Sequence, residues 1–352
     1  MNELLFPFRK AVQRALLRAG YSIHRITPDE RRLLDEIERQ KHGQSLQSVF
    51  GNELPRLIEL RRRYAEVRLP VALHSVWGSG KESGARTSIG WGGIDLRTFR
   101  GHNAYVWDYA GSNIQVGRLR YHLYAESLRT RDPAGLLSQL EEDGAFGCFT
   151  YDHPSVGRVS RDLLDSVLEL NFLQRHLQFL QRSDLRVLDV GAGYGRMAYR
   201  SLEANPGIAS YTCVDAVPES TFLCEFYLRH RGLSQRVEVI ALDELDTRLR
   251  GRRFDLAFNI HSFSECTYAA IEWWLRRLCA LEIRHLLIVP NDPTRFLSTE
   301  SDRSNRDYAP LLGDLGFRQV ACEPVFAEPT VRELMGVRDQ MFLFERAQVS
   351  PT

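Results

Sequence analysis

From Arg186 to the C-terminus, short apolar runs alternate with longer segments of helical spacing, and this alternation constrains the fold more than any other feature. Alternation of this kind is typical of a parallel sheet whose strands are joined by crossover helices. The predicted strands cover residues 186–190, 211–214, 237–240, 254–260, 285–290, 317–323 and 337–345. The sequence therefore predicts an α/β domain with a seven-stranded sheet over residues 181–352.

A glycine-rich turn follows the first of these strands directly. The turn carries Gly191, Gly193 and Gly195, and a helix is expected to start at about the last of them. Glycines in such a turn let the backbone adopt positive φ and approach a ligand closely. The second strand ends at Asp215, whose carboxylate can accept both hydroxyls of an adenosine ribose. The pattern predicts a nucleoside-containing cofactor, and the alternative is a tight strand–helix turn with a capping aspartate.

The spacing of the glycines separates two classes of cofactor. A dinucleotide site has the pattern G-x-G-x-x-G, whereas this turn has G-x-G-x-G with Asp189 two residues before it. A carboxylate at that place would repel a pyrophosphate but attract an amino group. An NAD-linked oxidoreductase with a Rossmann domain stays the alternative.

The run D-x-G-x-G-x-G resembles motif I of class I S-adenosylmethionine-dependent methyltransferases. The resemblance implies a Rossmann-like methyltransferase sheet, with the last two strands as its closing antiparallel hairpin. It also implies S-adenosylmethionine as cofactor, with Asp189 near the methionine amino group and Asp215 on the ribose. Asp243, after the third strand, would contact the adenine amino group, although it could equally cap a helix. Asn259, at the end of strand four, is a further candidate for the cofactor site.

Polar side chains follow strand four, where the transferred methyl group is expected. His261 is the candidate general base that deprotonates an acceptor hydroxyl, and Glu265 would orient its imidazole or hold substrate hydroxyls. The alternative makes His261 a structural loop residue and Glu265 a first-turn acid of the next helix. Oxygen ligands from Asn259, Asn291 and Asp292 could together hold Mg²⁺. A turn started by Asn-Asp-Pro explains the last two residues equally well.

Upstream of the sheet, residues 71–180 are expected to form a helical and aromatic-rich substrate-binding extension. Asn103, Tyr105 and Trp107 combine amide and ring groups that suit a sugar, and a plain aromatic core is the alternative. His153 is a second candidate base. Together with the long helix before motif I and the segment 259–265, the stretch 99–109 resembles the sugar O-methyltransferase family. The resemblance implies O-methylation of a hydroxyl on a glycan or glycosylated metabolite.

Residues 1–70 are expected to form an N-terminal helical segment. Its first helix, residues 2–19, has an apolar stripe beside four basic side chains, so it could lie on an anionic membrane surface or dock on protein. The partners expected through it are the inner membrane surface, a glycan-assembly enzyme or a second copy of the chain. A non-catalytic, cofactor-binding role in such a complex is a further alternative. The net charge of +1 gives no electrostatic field that would attract nucleic acid. Basic residues interrupt the apolar stretch that a signal peptide would need at the N-terminus, so a cytoplasmic protein is expected.

Overall fold

The computed structural model describes residues 49–73, 96–101 and 114–346, together with Pro28, Arg31, Arg32 and Asp35 in helical conformation. The predicted helix over residues 2–19 and the predicted substrate residues Asn103, Tyr105 and Trp107 lie outside these residues.

The part of the described chain that precedes the sheet is mainly helical. Its helices are α1 (Leu54–Glu66), α2 (Pro70–Leu73), α3 (Ile114–Arg129), α4 (Leu136–Gln139) and α5 (Arg161–Leu177). An antiparallel hairpin of β1 (Thr150–His153) and β2 (Gly157–Ser160) stands between α4 and α5. Ser160 caps the N-terminus of α5, because its hydroxyl accepts a hydrogen bond from the Leu163 amide at 3.0 Å. Helix α5 then leads into the sheet.

The remaining chain forms one seven-stranded sheet with helices between its strands. The strands are β3 (Arg186–Val190), β4 (Ser210–Val214), β5 (Val237–Ile240), β6 (Leu256–Ile260), β7 (His285–Val289), β8 (Phe317–Pro324) and β9 (Gln340–Arg346). The helices are α6 (Arg196–Ala204), α7 (Pro218–His230), α8 (Leu245–Arg248), α9 (Tyr268–Ala280), α10 (Ala309–Asp314) and α11 (Pro329–Met335). Short 3-10 turns occur at Gly51–Glu53, Leu96–Thr98, Ala145–Gly147, Phe179–Gln181, Leu242–Glu244 and Ser262–Glu265.

The strand order β5-β4-β3-β6-β7-β9-β8 confirms the predicted methyltransferase-type sheet. Strands β3 to β7 are parallel, and β9 is inserted antiparallel between β7 and β8. From β3 the chain adds β4 and β5 on one side and then places β6 on the other side of β3. The strand order therefore reverses between β3 and β6. In open α/β sheets, ligands bind beyond the carboxyl ends of the strands at such a reversal.

Two elements before the sheet differ from the sequence prediction. The sequence of residues 71–125 is rich in glycine and aromatic residues and poor in helical periodicity, but α3 is a helix whose Tyr121, Tyr124, Ala125 and Leu128 are buried at helical spacing. Residues 126–180 were expected to be helical, but the hairpin β1–β2 interrupts them. Among the described helices, none combines the length and the hydropathy that a bilayer span requires.

A buried network of charges joins this part of the chain to the sheet domain. Arg100 and Arg200 both donate to Glu142 Oε2, at 2.8 and 3.0 Å, and both lie within 3.4 Å of Asp162. The side chains of these four residues are at most 3 % exposed. Burial opposes ionisation of Asp162, but the two guanidinium groups hold its pKa well below the usual range. Asp162 also accepts a hydrogen bond from the Tyr194 hydroxyl in the glycine-rich turn, so this network supports the turn from behind.

Candidate cofactor and active site

The glycine-rich turn after β3 has the backbone conformation that the sequence predicts. Gly191, Gly193 and Gly195 have φ values of 78°, 57° and 87°, and α6 starts at the next residue. A Cβ at Gly191 would lie 2.1 Å from Ser262 Oγ in the loop after β6, so no larger residue fits there. A Cβ at Gly193 would meet nothing within 4 Å. The turn is therefore packed at one glycine and open to a ligand at the other.

Asn259 holds this turn in place through hydrogen bonds to the end of β3 and to the loop after β6. Its amide nitrogen donates to Val190 O at 3.0 Å and to Ser262 Oγ at 2.6 Å, and its Oδ1 accepts from the Phe263 amide at 2.9 Å. The side chain is 1 % exposed. Protein groups use both donors of the Asn259 amide and one lone pair of its oxygen, and its contact with a cofactor stays a prediction.

Two buried carboxylates flank the turn at the ends of β3 and β4. Asp189 accepts a hydrogen bond from the Tyr211 hydroxyl at 3.1 Å, and burial raises its pKa to about 7. Asp215 accepts from the amides of Gly193 and Val217, both at 2.9 Å, and burial raises its pKa to about 6. Each carboxylate is at most 9 % exposed. Both acids therefore lie at the ends of β3 and β4, as the sequence predicts. Burial disfavours their charged forms, and a cationic ligand would stabilise these two carboxylates.

The third predicted acid, Asp243, is already paired. Arg63 of α1 forms a two-pronged ion pair with it, with both nitrogen–oxygen distances at 2.8 Å. The neighbouring Tyr64 is buried, and its hydroxyl accepts from the Leu242 amide at 2.9 Å. Asp243 makes no helix cap in the structure, so that alternative is wrong. Its contact with adenine stays a prediction, and α1 forms a wall beside it that the sequence did not indicate.

His261 follows β6 in a strained and well-anchored conformation. Its φ is 65°, which is uncommon for a residue other than glycine, and its amide donates to Val289 O at 2.7 Å. Its ring Nδ1 lies 2.8 Å from Asn291 Oδ1, and its Nε2 lies 4.0 Å from Asp339 Oδ2. Burial lowers the pKa of the imidazole, so the neutral form dominates at pH 7. A neutral, oriented imidazole can accept a proton.

The acidic and basic groups around His261 come from distant parts of the chain. Asp339, just before β9, lies 3.8 Å from Arg161 Nη2, and Arg161 Nε lies 2.7 Å from Asp165 Oδ1. The Tyr124 hydroxyl donates to the same Asp165 oxygen at 2.7 Å. Burial raises the pKa of Asp339. None of these four residues belongs to a motif, so no signal in the sequence pointed to them.

The residues predicted to hold Mg²⁺ have other roles. Asn291 Oδ1 contacts His261, as described above. Asp292 Oδ1 accepts from the amides of Thr294 and Arg295 at 2.9 and 3.0 Å, and its Oδ2 pairs with the Arg295 guanidinium at 2.8 Å. The Asn-Asp-Pro turn is therefore what forms, and these residues do not support a magnesium site. Glu265 ends the 3-10 turn after β6, and its predicted contact with the imidazole stays a prediction.

The second candidate base, His153, lies at the end of β1 in a different set of contacts. Its Nε2 is 3.2 Å from Glu126 Oε1, and its ring stacks on His122 with 4.5 Å between centroids. Burial, followed by the neighbouring His122, lowers its pKa. None of these contacts involves the residues around His261, so the described residues place the two candidate bases in separate clusters.

Comparisons with known proteins found one matching family and a number of similar solved structures. The model of a family described as a methyltransferase domain matches residues 187–281. No curated protein matches the chain in sequence. One similar solved structure is 1,6-didemethyltoxoflavin-N1-methyltransferase of Burkholderia thailandensis with bound S-adenosylhomocysteine, at 22% identity over 50% of this chain and 76% of that chain, TM-score 0.37.

A second similar structure is magnesium protoporphyrin IX methyltransferase of Synechocystis PCC 6803 with bound S-adenosylmethionine, at 13% identity over 65% of this chain and 97% of that chain, TM-score 0.38. The family match covers the glycine turn and strands β3 to β6, whereas β7, β8 and β9 follow it in the chain. Residues 187–281 are therefore similar to a methyltransferase domain in sequence, and the sheet to which they belong has the strand order of one.

Proposed function

We propose that this protein is an S-adenosylmethionine-dependent O-methyltransferase that acts on a sugar hydroxyl, with His261 as general base. The observation that carries the proposal is the placement of two sites at one edge of the sheet. The open glycine turn with Asp189 and Asp215 follows β3 and β4, and the anchored imidazole follows β6.

The residues around the turn fit the proposed cofactor. Asp189 would hold the methionine ammonium group, and Asp215 would accept the ribose hydroxyls, for which each of its oxygens has lone pairs beyond its amide contacts. Gly193 lets the ligand approach the backbone. When bound, the sulfonium supplies an electrophilic methyl group. A dinucleotide fits less well, because the buried Asp189 carboxylate beside the turn would repel its pyrophosphate.

The hydrogen bond between His261 and Asn291 selects the nitrogen that acts as base. Asn291 Oδ1 can only accept, so Nδ1 of His261 carries the proton of the neutral ring. The lone pair is then on Nε2, the nitrogen that faces Asp339. As Nε2 takes the proton of the acceptor hydroxyl, the Asp339 carboxylate 4.0 Å away stabilises the imidazolium that forms.

The polar groups beside His261 support a hydroxyl-rich acceptor. Arg161, Asp165 and Asp339 pair with one another in a largely buried cluster, in which Asp339 is the most exposed and offers acceptor oxygens to substrate hydroxyls. The sugar as substrate class rests on this cluster and on the resemblance of the aromatic stretch at residues 99–109. An NAD-linked oxidoreductase and a non-catalytic cofactor-binding partner are the alternatives that the following experiment separates.

S-adenosylhomocysteine is expected to raise the melting temperature of the protein, because a ligand at a hundred times its Kd adds about 2.7 kcal/mol. NAD and NADP should give no shift. Asp215→Ala is expected to weaken binding by about 1–3 kcal/mol, since the ribose hydroxyls lose their acceptor. A shift with a dinucleotide alone would exclude the proposal. Transfer of a labelled methyl group to nucleotide sugars or glycans then tests catalysis, and cofactor binding without transfer to any of them would favour the non-catalytic role.

Cofactor affinity is also expected to depend on pH. Because the pKa of Asp189 is raised to about 7, this carboxyl is protonated in the free protein at lower pH and must lose its proton to hold an ammonium group. The Kd for S-adenosylhomocysteine should therefore rise between pH 7.5 and pH 5.5, by up to about tenfold per unit. Asp189→Asn should bind more weakly at pH 7.5 and show a flatter profile. Equal affinity of the wild type at both pH values would contradict the role given to Asp189.

A further inference from the structure

A second cluster of ligand-type side chains lies away from the sheet edge, between α3 and the hairpin. His122 and Glu126 are four residues apart on α3 and therefore share one face of the helix. His153 reaches the same place from the end of β1. One nitrogen from each histidine and one carboxylate oxygen from Glu126 all lie within 4.8 Å of one another.

The buried end of this cluster contains a polar atom whose hydrogen-bonding capacity is unused. The His153 side chain is 0 % exposed, and its Nε2 has no hydrogen-bond partner among the described residues, although Glu126 Oε1 is 3.2 Å away. Buried polar atoms in folded proteins are rarely left without a partner. A group that binds Nε2 from the side of Glu126 would account for this atom.

The surrounding contacts favour a metal ion as that group. The Tyr151 hydroxyl lies 3.2 Å from Nδ1 of His122, so it can accept the Nδ1 proton and leave the Nε2 lone pair for a ligand bond. Glu126 Oε2 is held by Arg129 at 3.0 Å, which leaves Oε1 directed at the cluster. Outer contacts of this kind fix metal-binding imidazoles and carboxylates in proteins. His122 and Glu126 are partly exposed, so an ion can enter from solvent.

We propose that His122, Glu126 and His153 bind one divalent cation of the zinc type. Two imidazole nitrogens and one carboxylate suit zinc, whereas magnesium prefers a set of oxygen ligands. Three protein ligands leave a fourth tetrahedral position for water. Ligation through Nε2 of His153 moves its proton to Nδ1, so the contact from the Ser155 amide at 3.2 Å is given up. Ser155 lies in the exposed turn of the hairpin, where the chain can make this adjustment.

The test is a calorimetric titration of the full chain with zinc chloride after treatment with chelator. One equivalent is expected to bind, and an equal concentration of magnesium chloride should not compete. His153→Ala and Glu126→Gln should each weaken binding by more than about 100-fold, because removal of an outer contact alone costs roughly 10- to 100-fold. The zinc affinity of Tyr151→Phe should lie between those of these two variants and that of the wild type.

His176→Ala is the matched control, since His176 pairs with Glu323 at 2.8 Å on another surface of the protein. Unchanged zinc affinity in Glu126→Gln, whose side chain is at the surface, would overturn the proposal even if His153→Ala fails to fold. Loss of binding in His176→Ala would overturn it as well. The absorption spectrum of the cobalt-loaded protein should lack a thiolate charge-transfer band. Such a band would assign the ion to a cysteine instead. None of these measurements depends on methyl transfer, so their outcome is independent of the proposed function.

Discussion

Replacement of His261 by alanine is expected to lower kcat by roughly 100- to 10,000-fold, the usual contribution of a general base. Cofactor affinity should change little, because the imidazole acts on the acceptor hydroxyl and the carboxylates at the turn hold the cofactor. The wild-type pH–rate profile should fall on the acidic side as the imidazole becomes protonated. This fall should occur below the ordinary histidine pKa, since burial lowers it. Steady-state kinetics and a cofactor titration measure both effects.

Two further variants make the assignment of the base specific. Asp339→Asn should lower kcat less than His261→Ala and shift the acidic limb of the profile further to lower pH, because the imidazolium loses a neighbouring negative charge. His153→Ala removes the other candidate base. If that variant loses activity while His261→Ala keeps most of it, the base is not the residue at the sheet edge. If all three remain active, alignment of the substrates alone drives transfer.

Replacement of Asp162 by asparagine is expected to destabilise the protein by about 3–5 kcal/mol. The change keeps the size of the side chain but removes its negative charge. The buried guanidinium groups of Arg100 and Arg200 then share a single buried carboxylate, that of Glu142. For a chain of this length the melting temperature should fall by roughly 4–7 °C. Calorimetry or chemical denaturation measures the loss.

The matched control for this prediction is Asp152→Ala. Asp152 pairs with Arg158 at 3.0 Å on the surface, and its side chain is 77 % exposed. Exposed pairs contribute about 0–1 kcal/mol, so the control should unfold nearly as the wild type does. Equal stability of the Asp162 and Asp152 variants would show that the buried network does not hold the turn and the preceding helices together.

The sequence by itself determined the sheet and its glycine turn. Strands buried on both faces are continuous apolar runs, as in the fully buried β7, so their positions can be read locally. The three glycines of the turn all have positive φ, a conformation that depends on the residue itself more than on distant contacts. Asp189 is the penultimate residue of β3 and Asp215 directly follows β4, so the strand positions alone predict that both lie at this edge of the sheet.

The elements before the sheet were harder to predict because their signals are weaker. In α3 the buried face includes two tyrosines, an alanine and Leu128, and Leu119 and Leu123 are exposed, so the apolar pattern does not stand out as a single stripe. The strands of the hairpin are four residues each, too short for an alternating pattern to be distinguished from a helix turn.

The partner of each polar side chain was decided by the tertiary structure alone. Asn259 donates to the backbone just before the glycine turn, and Asp243 pairs with Arg63, 180 residues earlier in the chain; the sequence indicated neither contact. Asp339 reaches His261 only because β9 is inserted beside β7. A hydrogen bond or ion pair forms only when two groups approach to within a few tenths of an ångström of the required distance. When the groups are remote in sequence, no local pattern encodes that distance.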